Sequence, residues 1–432
     1  MRSSLRSSAF LMAVFGILVT HAKAEVPYAV LHTFNSAEGT NLGGPLVISG
    51  NYAYGTAQSG GSHDNGTLYR LDLTTGQLSV LNTFGNPATS PTDPQYMILS
   101  GSNLYGIAED GGAGSNGAIY RYDLSNNSMT TLYSFPSNYS KGAFPVQTSL
   151  TQSGSVLYGV THYGGSAFHG VVFKLDTSNN NAYSVLHNFA GNEGADPMGK
   201  LALAGNFLYG TAQDGGTSNL GTLYKVDITT GVLNVLHTFT GGTADGTFPW
   251  GNSVLVSGNR LLGMTDRGGA FNQGVLYSYD LSSDQFAVLH SFAGGTNDGA
   301  QPFNADLLQE GNLLYGVTSF GGSANVGTVF QFDLNTNQLS ILHSFTGPND
   351  SDPRTTLVRS GDYLYGVCNA AQTDGNGVIF SLYVPLQVAA INIPEPASIA
   401  LLGIAAPILL SRRRAPGRCR NVNAVRAAAG AQ

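Results

Sequence analysis

The chain has 432 residues, of which only 10% are charged, while Gly supplies 57 positions and Tyr and Phe 21 each, a balance that favours many short strands over helices. Nine of its 19 Lys and Arg residues fall at the two ends, leaving 10 against 26 acidic residues between them. An acidic body without a basic patch is excluded as a nucleic-acid binder.

The first 24 residues hold Arg2 and Arg6, an apolar run from Ala9 to Val19, and Ala22-Lys23-Ala24 before Glu25. This is the pattern of a secretory signal peptide, and signal peptidase is expected to cut after Ala24. The apolar run is too short to span a bilayer.

From residue 28 to 384 one phrase recurs seven times: an apolar-Tyr-Gly step, a Gly-Gly loop, a Gly-Thr-Leu-Tyr strand and a Val-Leu-His-Thr-Phe strand. Its first glycine falls at Gly55, Gly106, Gly159, Gly210, Gly263, Gly316 and Gly366. A near-constant period of this length, with four strand-like runs per copy, is the size of a propeller blade. In the first copy the runs are Pro45 to Ser49, Tyr52 to Ala57, Gly66 to Leu73 and Leu78 to Phe84. Gly50-Asn51 and Thr74-Thr75-Gly76 supply tight hairpin turns between them.

The two ends of the repeat are out of phase. A fourth-strand phrase stands at Val30 to Phe34 before the first blade, whereas the seventh copy ends at Gly377 to Val384 without one. Pairing these two segments closes a ring and leaves no exposed edge. The chain is therefore expected to be all-β, a seven-bladed propeller over residues 25–385, closed by its N-terminal strand.

Most repeated residues read as structural. Tyr54 and its equivalents pack blade on blade, and the glycine after each is expected to admit a neighbouring backbone. Asp72, Asp123, Asp176, Asp227, Asp280 and Asp333 precede turns whose amides their side chains can bind. Asp196, Asp245, Asp298 and Asp352 are read as Asx turns in the loops that open blades. His32, His187, His237, His290 and His343 repeat with the fourth strand.

Specificity is expected where the phrase breaks. The loops between strands two and three, and between blades, are long and emerge on one face. They hold His63, His162, Tyr163 and His169, and the lone Trp250 opens a blade, where it is read either as a core residue or as a platform on which a sugar ring can stack. No zinc, calcium, phosphate-loop or nucleophile-elbow pattern accompanies them, so neither a metal nor a cofactor is expected. Cys368 is the one cysteine in the body, Cys419 lying beyond it, so no disulfide is available there.

The repeated phrase is similar to the GloVer repeat of exported bacterial proteins, through motifs such as Gly327-Thr-Val-Phe-Gln-Phe-Asp333 and Ile341-Leu-His-Ser-Phe345. The resemblance implies architecture and address, and carries no activity. After a linker at 386–393, Pro394-Glu395-Pro396 leads into an apolar run from Ala397 to Leu410 and then Arg412-Arg413-Arg414. This resembles a PEP-CTERM sorting signal over 394–414, followed by a tail at 415–432 that is longer than the family usually carries.

That resemblance implies an exosortase partner and an exported protein at the cell surface or outside it. Association with the inner membrane through residues 397–411, transient or permanent, is part of the same expectation. Exopolysaccharide or envelope proteins are the expected partners of a non-enzymatic loop face. A secreted propeller glycan lyase or glycoside hydrolase, using loop carboxylates or His162 and Tyr163, is the alternative.

Overall fold

The computed structural model describes residues 26–386, apart from 43, 86–89, 349 and 371–376. The expected signal peptide with Ala22 and Ala24 lies outside the described residues. So do nearly all of the linker, the sorting signal with Pro394, Glu395, Pro396 and Arg412–Arg414, and the tail. Among the described residues no helix is long and apolar enough to cross a membrane.

Seven four-stranded antiparallel sheets stand in a ring, the first six taking their strands in sequence order, and together they form a seven-bladed β-propeller. Blade 1 is typical, with strands Val47–Ser49, Tyr52–Ala57, Thr67–Asp72 and Leu78–Thr83. Its two middle strands, YAYGTA and TLYRLD, are buried almost throughout, because each face meets a neighbouring blade. The outer strand has no buried position, with Ser79 and Val80 exposed and the rest half-buried. Blade 4 also gains a two-residue parallel strand, Thr148–Ser149, lent by blade 3.

Blade 7 consists of Val358–Ser360, Tyr363–Cys368, Val378–Tyr383 and the N-terminal Tyr28–Thr33. Tyr28 lies opposite Leu382 and Thr33 opposite Val378, so the first strand of the chain completes the last blade as the phase mismatch requires.

The glycine of each Tyr-Gly step has a different purpose from the one the sequence suggests. Gly55 pairs with Tyr69 across the sheet, Gly106 with Tyr120 and Gly210 with Tyr224. A Cβ on Gly106 would sit 2.2 Å from Cζ of Tyr120. An aromatic ring laid over the glycine, and not an approaching backbone, is what excludes a side chain there. The buried phenylalanine at the end of each fourth strand then meets the aromatic of the following blade edge-on. Phe34–Tyr69, Phe84–Tyr120 and Phe189–Tyr224 centroids lie 4.8, 5.3 and 5.1 Å apart. Each such ring contributes ~1.5–3 kcal/mol by burial, so the blades are joined by a repeated aromatic contact.

The polar repeats serve loops. Asp72 Oδ1 accepts the amides of Thr74 and Thr75 at 2.8 and 3.2 Å, as its turn position implies. Asp245 and Asp298 differ from the expected Asx turns. Asp245 takes the ring nitrogen of His237 at 3.1 Å and the amide of Thr240 at 2.8 Å, and Asp298 takes His290 at 3.0 Å. His32–Glu38 and His187–Glu193 repeat the pair with a longer carboxylate, so four fourth-strand histidines fasten the loop that follows them.

Candidate functional site

The long loops share one face and build the mouth of the central channel from a fixed backbone. Asn41, Asp93, Phe144, Asp196, Phe248, Gln301 and Asp352, one per blade, are left-handed, with φ between 49° and 57°. All but Asn41 precede a proline, which removes a donor and fixes the following φ. In five blades the carbonyl of this residue accepts the amide of the residue three after the repeat glycine. The pairs are Gln58 to Asn41, His162 to Phe144, Asp266 to Phe248, Ser319 to Gln301 and Asn369 to Asp352, at 3.0–3.2 Å.

The backbone is therefore common to the blades while the side chains are not. The same position carries Gln58, Glu109, His162, Gln213, Asp266, Ser319 and Asn369 in turn.

Blades 4 to 7 enclose a cavity of ≈350 Å³ at this mouth, lined by Phe248, Trp250, Phe303 and Phe320 with Gln213, Asp266, Arg267, Gln301, Ser319 and Arg354. Trp250 and Phe303 lie 5.1 Å apart, tilted by 55°. The Arg354 guanidinium covers Phe303 at 4.8 Å and meets the fully buried Asp352 at 2.7 Å. Burial pushes the Asp266 carboxyl up, against the pull of Arg267, 3.3 Å away, and of Arg354. The indole N–H of Trp250 is buried and has no hydrogen-bond partner among the described residues. Tyr96, from the inner strand of blade 2, donates its hydroxyl to Asn304 Oδ1 of blade 6.

The opposite side of the mouth is a chain of amides and acids. Asn369 Nδ2 donates to Asn41 Oδ1 at 2.9 Å, Asn41 donates to Gln58, and Gln58 donates to Gln95 at 2.9 Å. Gln95 in turn donates to Asp93 and Glu109, each at 3.1 Å. Burial, with Asp110 beside it, pushes Asp93 up to about 7; burial, then Asp93 and Asp110, pushes Glu109 to about 7. On blade 4 burial and the neighbouring Asp196 raise the Asp214 carboxyl while His162 opposes them. Among the described residues no group of three or more His, Cys, Asp or Glu side chains is arranged to hold a metal.

The residues singled out from the sequence divide. Trp250, expected either in the core or under a sugar, is half-buried in the cavity. His162 stands in the variable column of the mouth, and Tyr163 beside it is 37% exposed. His63 is exposed on the blade 1 loop beside Ser62, and His169 packs by Gly191 on the blade 3 loop. Neither lines the cavity. Arg354, Phe303, Gln213 and Asp266 were missed, although reading the seven copies as columns from the repeat glycine and the loop proline would have gathered them.

Residues 13–222 and 204–388 match the Gloeobacter/Verrucomicrobia repeat. The chain belongs to that repeat family. Its closed ring shows how the family's repeat is used in this chain, as one blade per copy.

Among solved structures the chain is similar to an oligogalacturonate lyase in complex with manganese, at 12% identity and a TM-score of 0.53, covering 84% of this chain and 94% of that one. It is also similar to the computationally designed Ika8 protein, at 17% identity and 0.45, over 81% and 98% of the two chains. A chain of a nidogen/laminin complex follows at 13% and 0.42, over 67% and 94%. At 12% identity the lyase likeness is one of fold. No curated protein matches the chain.

Proposed function

We propose that the protein is an exported, exosortase-sorted surface or matrix component that binds a glycan at its channel mouth without cleaving it. The observation that carries this reading is Trp250. A pyranose offers an apolar face and a rim of hydroxyls, and the cavity pairs aromatic walls with planar polar side chains in the same arrangement. Trp250 and Phe303 supply the walls; Gln213, Gln301 and the unpartnered indole N–H supply donors and acceptors. The two guanidiniums are held by Asp266 and Asp352, so the cavity favours an uncharged ring over an anion. Sorting through residues 394–414 would deliver the ring to an envelope where exopolysaccharide is the available glycan.

A panel of polysaccharides incubated with the protein tests both halves. Retention on a neutral polysaccharide, lost in Trp250→Ala and unaccompanied by new reducing or unsaturated ends, is the expected result. The alternative, a glycan lyase or hydrolase, is favoured by Asp214 and Asp196 close to His162 at the same mouth. New chain ends that disappear in Asp214→Asn would establish cleavage and end the non-enzymatic reading.

A further inference from the structure

Blade 3 breaks a rule that other blades keep. In the loop between strands two and three, the residue two before the strand-opening glycine is left-handed, and it is Asp64, Ser115, Asn219, Asn272 or Asn325, with φ from 53° to 58°. Four of these side chains close the loop on itself. Asp64, Asn219, Asn272 and Asn325 each accept the amide of Gly60, Gly215, Gly268 or Gly321, at 2.9–3.1 Å. Asn and Asp tolerate this conformation and supply the acceptor.

Blade 3 places Phe168 there, at φ 64°. A bulky residue held left-handed is strained, and its ring cannot supply the acceptor. Burial does not offset that strain, since Phe168 is 49% exposed.

Phe168 is the outer end of a line. Its ring lies 5.7 Å from Tyr163, Tyr163 lies 5.6 Å from Tyr139, and Tyr139 lies 6.1 Å from Phe144. Phe144 occupies on blade 3 the pre-proline position that Phe248 occupies on blade 5, where it lines the cavity. Tyr139 is itself left-handed, at 60°. Single exposed aromatics need no explanation, but a contiguous run, three of whose four members are held in a disfavoured conformation, does.

Building on the glycan-binding reading of the mouth, we propose that this line is a second platform for the same ligand. The ligand is then a chain of uncharged sugars that leaves the Trp250 cavity and lies outward over Tyr163 and Phe168. Continuity with the mouth, through Phe144, is what assigns a glycan to the surface. The spacing of the rings is comparable to that of successive sugars in an extended chain, and the acidic body, with 10 basic against 26 acidic residues between the two ends, repels a polyanion.

The test is calorimetric titration of native protein, Trp250→Ala, Tyr163→Ala and Phe168→Asn with neutral β-linked gluco-oligosaccharides, from disaccharide to octasaccharide. Native affinity is expected to rise with length. Phe168→Asn should cost the octasaccharide about tenfold and leave the disaccharide unchanged. It should also raise the melting temperature, because Asn restores the rule of the other blades.

Octasaccharide binding that Phe168→Asn and Tyr163→Ala leave intact, with Trp250→Ala still deficient, overturns the second platform and preserves the mouth. Binding indifferent to Trp250→Ala, or absent from the native protein, overturns both. Sedimentation run alongside guards the remaining case: self-association abolished by Phe168→Asn would give the patch to a second copy of the chain and overturn the glycan assignment.

Discussion

The Tyr96 hydroxyl of blade 2 reaches Asn304 Oδ1 of blade 6, joining two residues 208 apart in sequence. The bond runs from the inner strand of blade 2 to the turn that precedes the inner strand of blade 6. On one side is the Trp250 cavity, and on the other is a lumen where Lys200, Asp306 and Thr356 line two cavities of ≈460 and ≈470 Å³. Tyr96 is 4% exposed and Asn304 5%, so neither finds water if the bond is lost.

Tyr96→Phe leaves Asn304 with an unmet buried acceptor and should cost about 1–3 kcal/mol. Urea denaturation measures it. An unchanged midpoint would mean that the two sides of the ring are not joined there.

Gly106→Ala drives a methyl group into the Tyr120 ring and is expected to cost about 1–3 kcal/mol. The informative measurement is the double-mutant cycle with Tyr120→Ala. Removing the ring makes room for the new methyl, so the pair should be less destabilised than the sum of the singles, by about 0.5–3 kcal/mol. Additive costs would refute the packing of ring over glycine.

Two carboxylate groups give opposite pH dependences. Asp93 and Glu109 have folded pKa values of about 7, above the ordinary carboxylate range, so the folded state holds protons that the unfolded state releases. Their contribution is complete below about pH 4 and is lost as the pH rises through about 7. Asp93→Asn with Glu109→Gln should flatten melting temperature against pH over that interval.

For Asp245 burial raises the carboxyl, but His237 and the Thr240 amide outweigh it and hold it low. Its contribution is present above the ordinary aspartate pKa and lost in acid below it. Asp245→Asn should reduce the acid sensitivity without altering the neutral window.

Deleting residues 25–36 removes the outer strand of blade 7 and the Phe34–Tyr69 contact to blade 1. The shortened protein is expected to lose most of its thermal stability. A melting curve matching the full chain would show that the ring does not depend on this closure.

Blade number, strand order and closure were legible because they are repetitive. Tyr-Gly, Gly-Thr-Leu-Tyr and the final Phe recur for the same packing reason in each copy, and the unmatched Val30 to Phe34 announced its partner. The mouth was much less legible, since the column from Gln58 to Asn369 holds one backbone bond constant while its side chains change. Periodicity cannot find such positions, and alignment of the copies can. Tyr96–Asn304 carries no local signal, because only ring closure brings the two together. The glycine purpose was misread for a related reason: the atom that forbids a Cβ belongs to the adjacent strand, one aromatic away in register and many residues away in sequence.

The closure of blade 7 also fixes an orientation. Tyr383 donates its amide to Pro27, and Val384 to Asp362 in the short turn between the first two strands of that blade. The chain thus comes into the ring and departs from it side by side, on the face of the short turns. Any tether attached at either terminus holds that face toward its anchor, and the Trp250 mouth, on the face of the long loops, then looks outward whichever end is held.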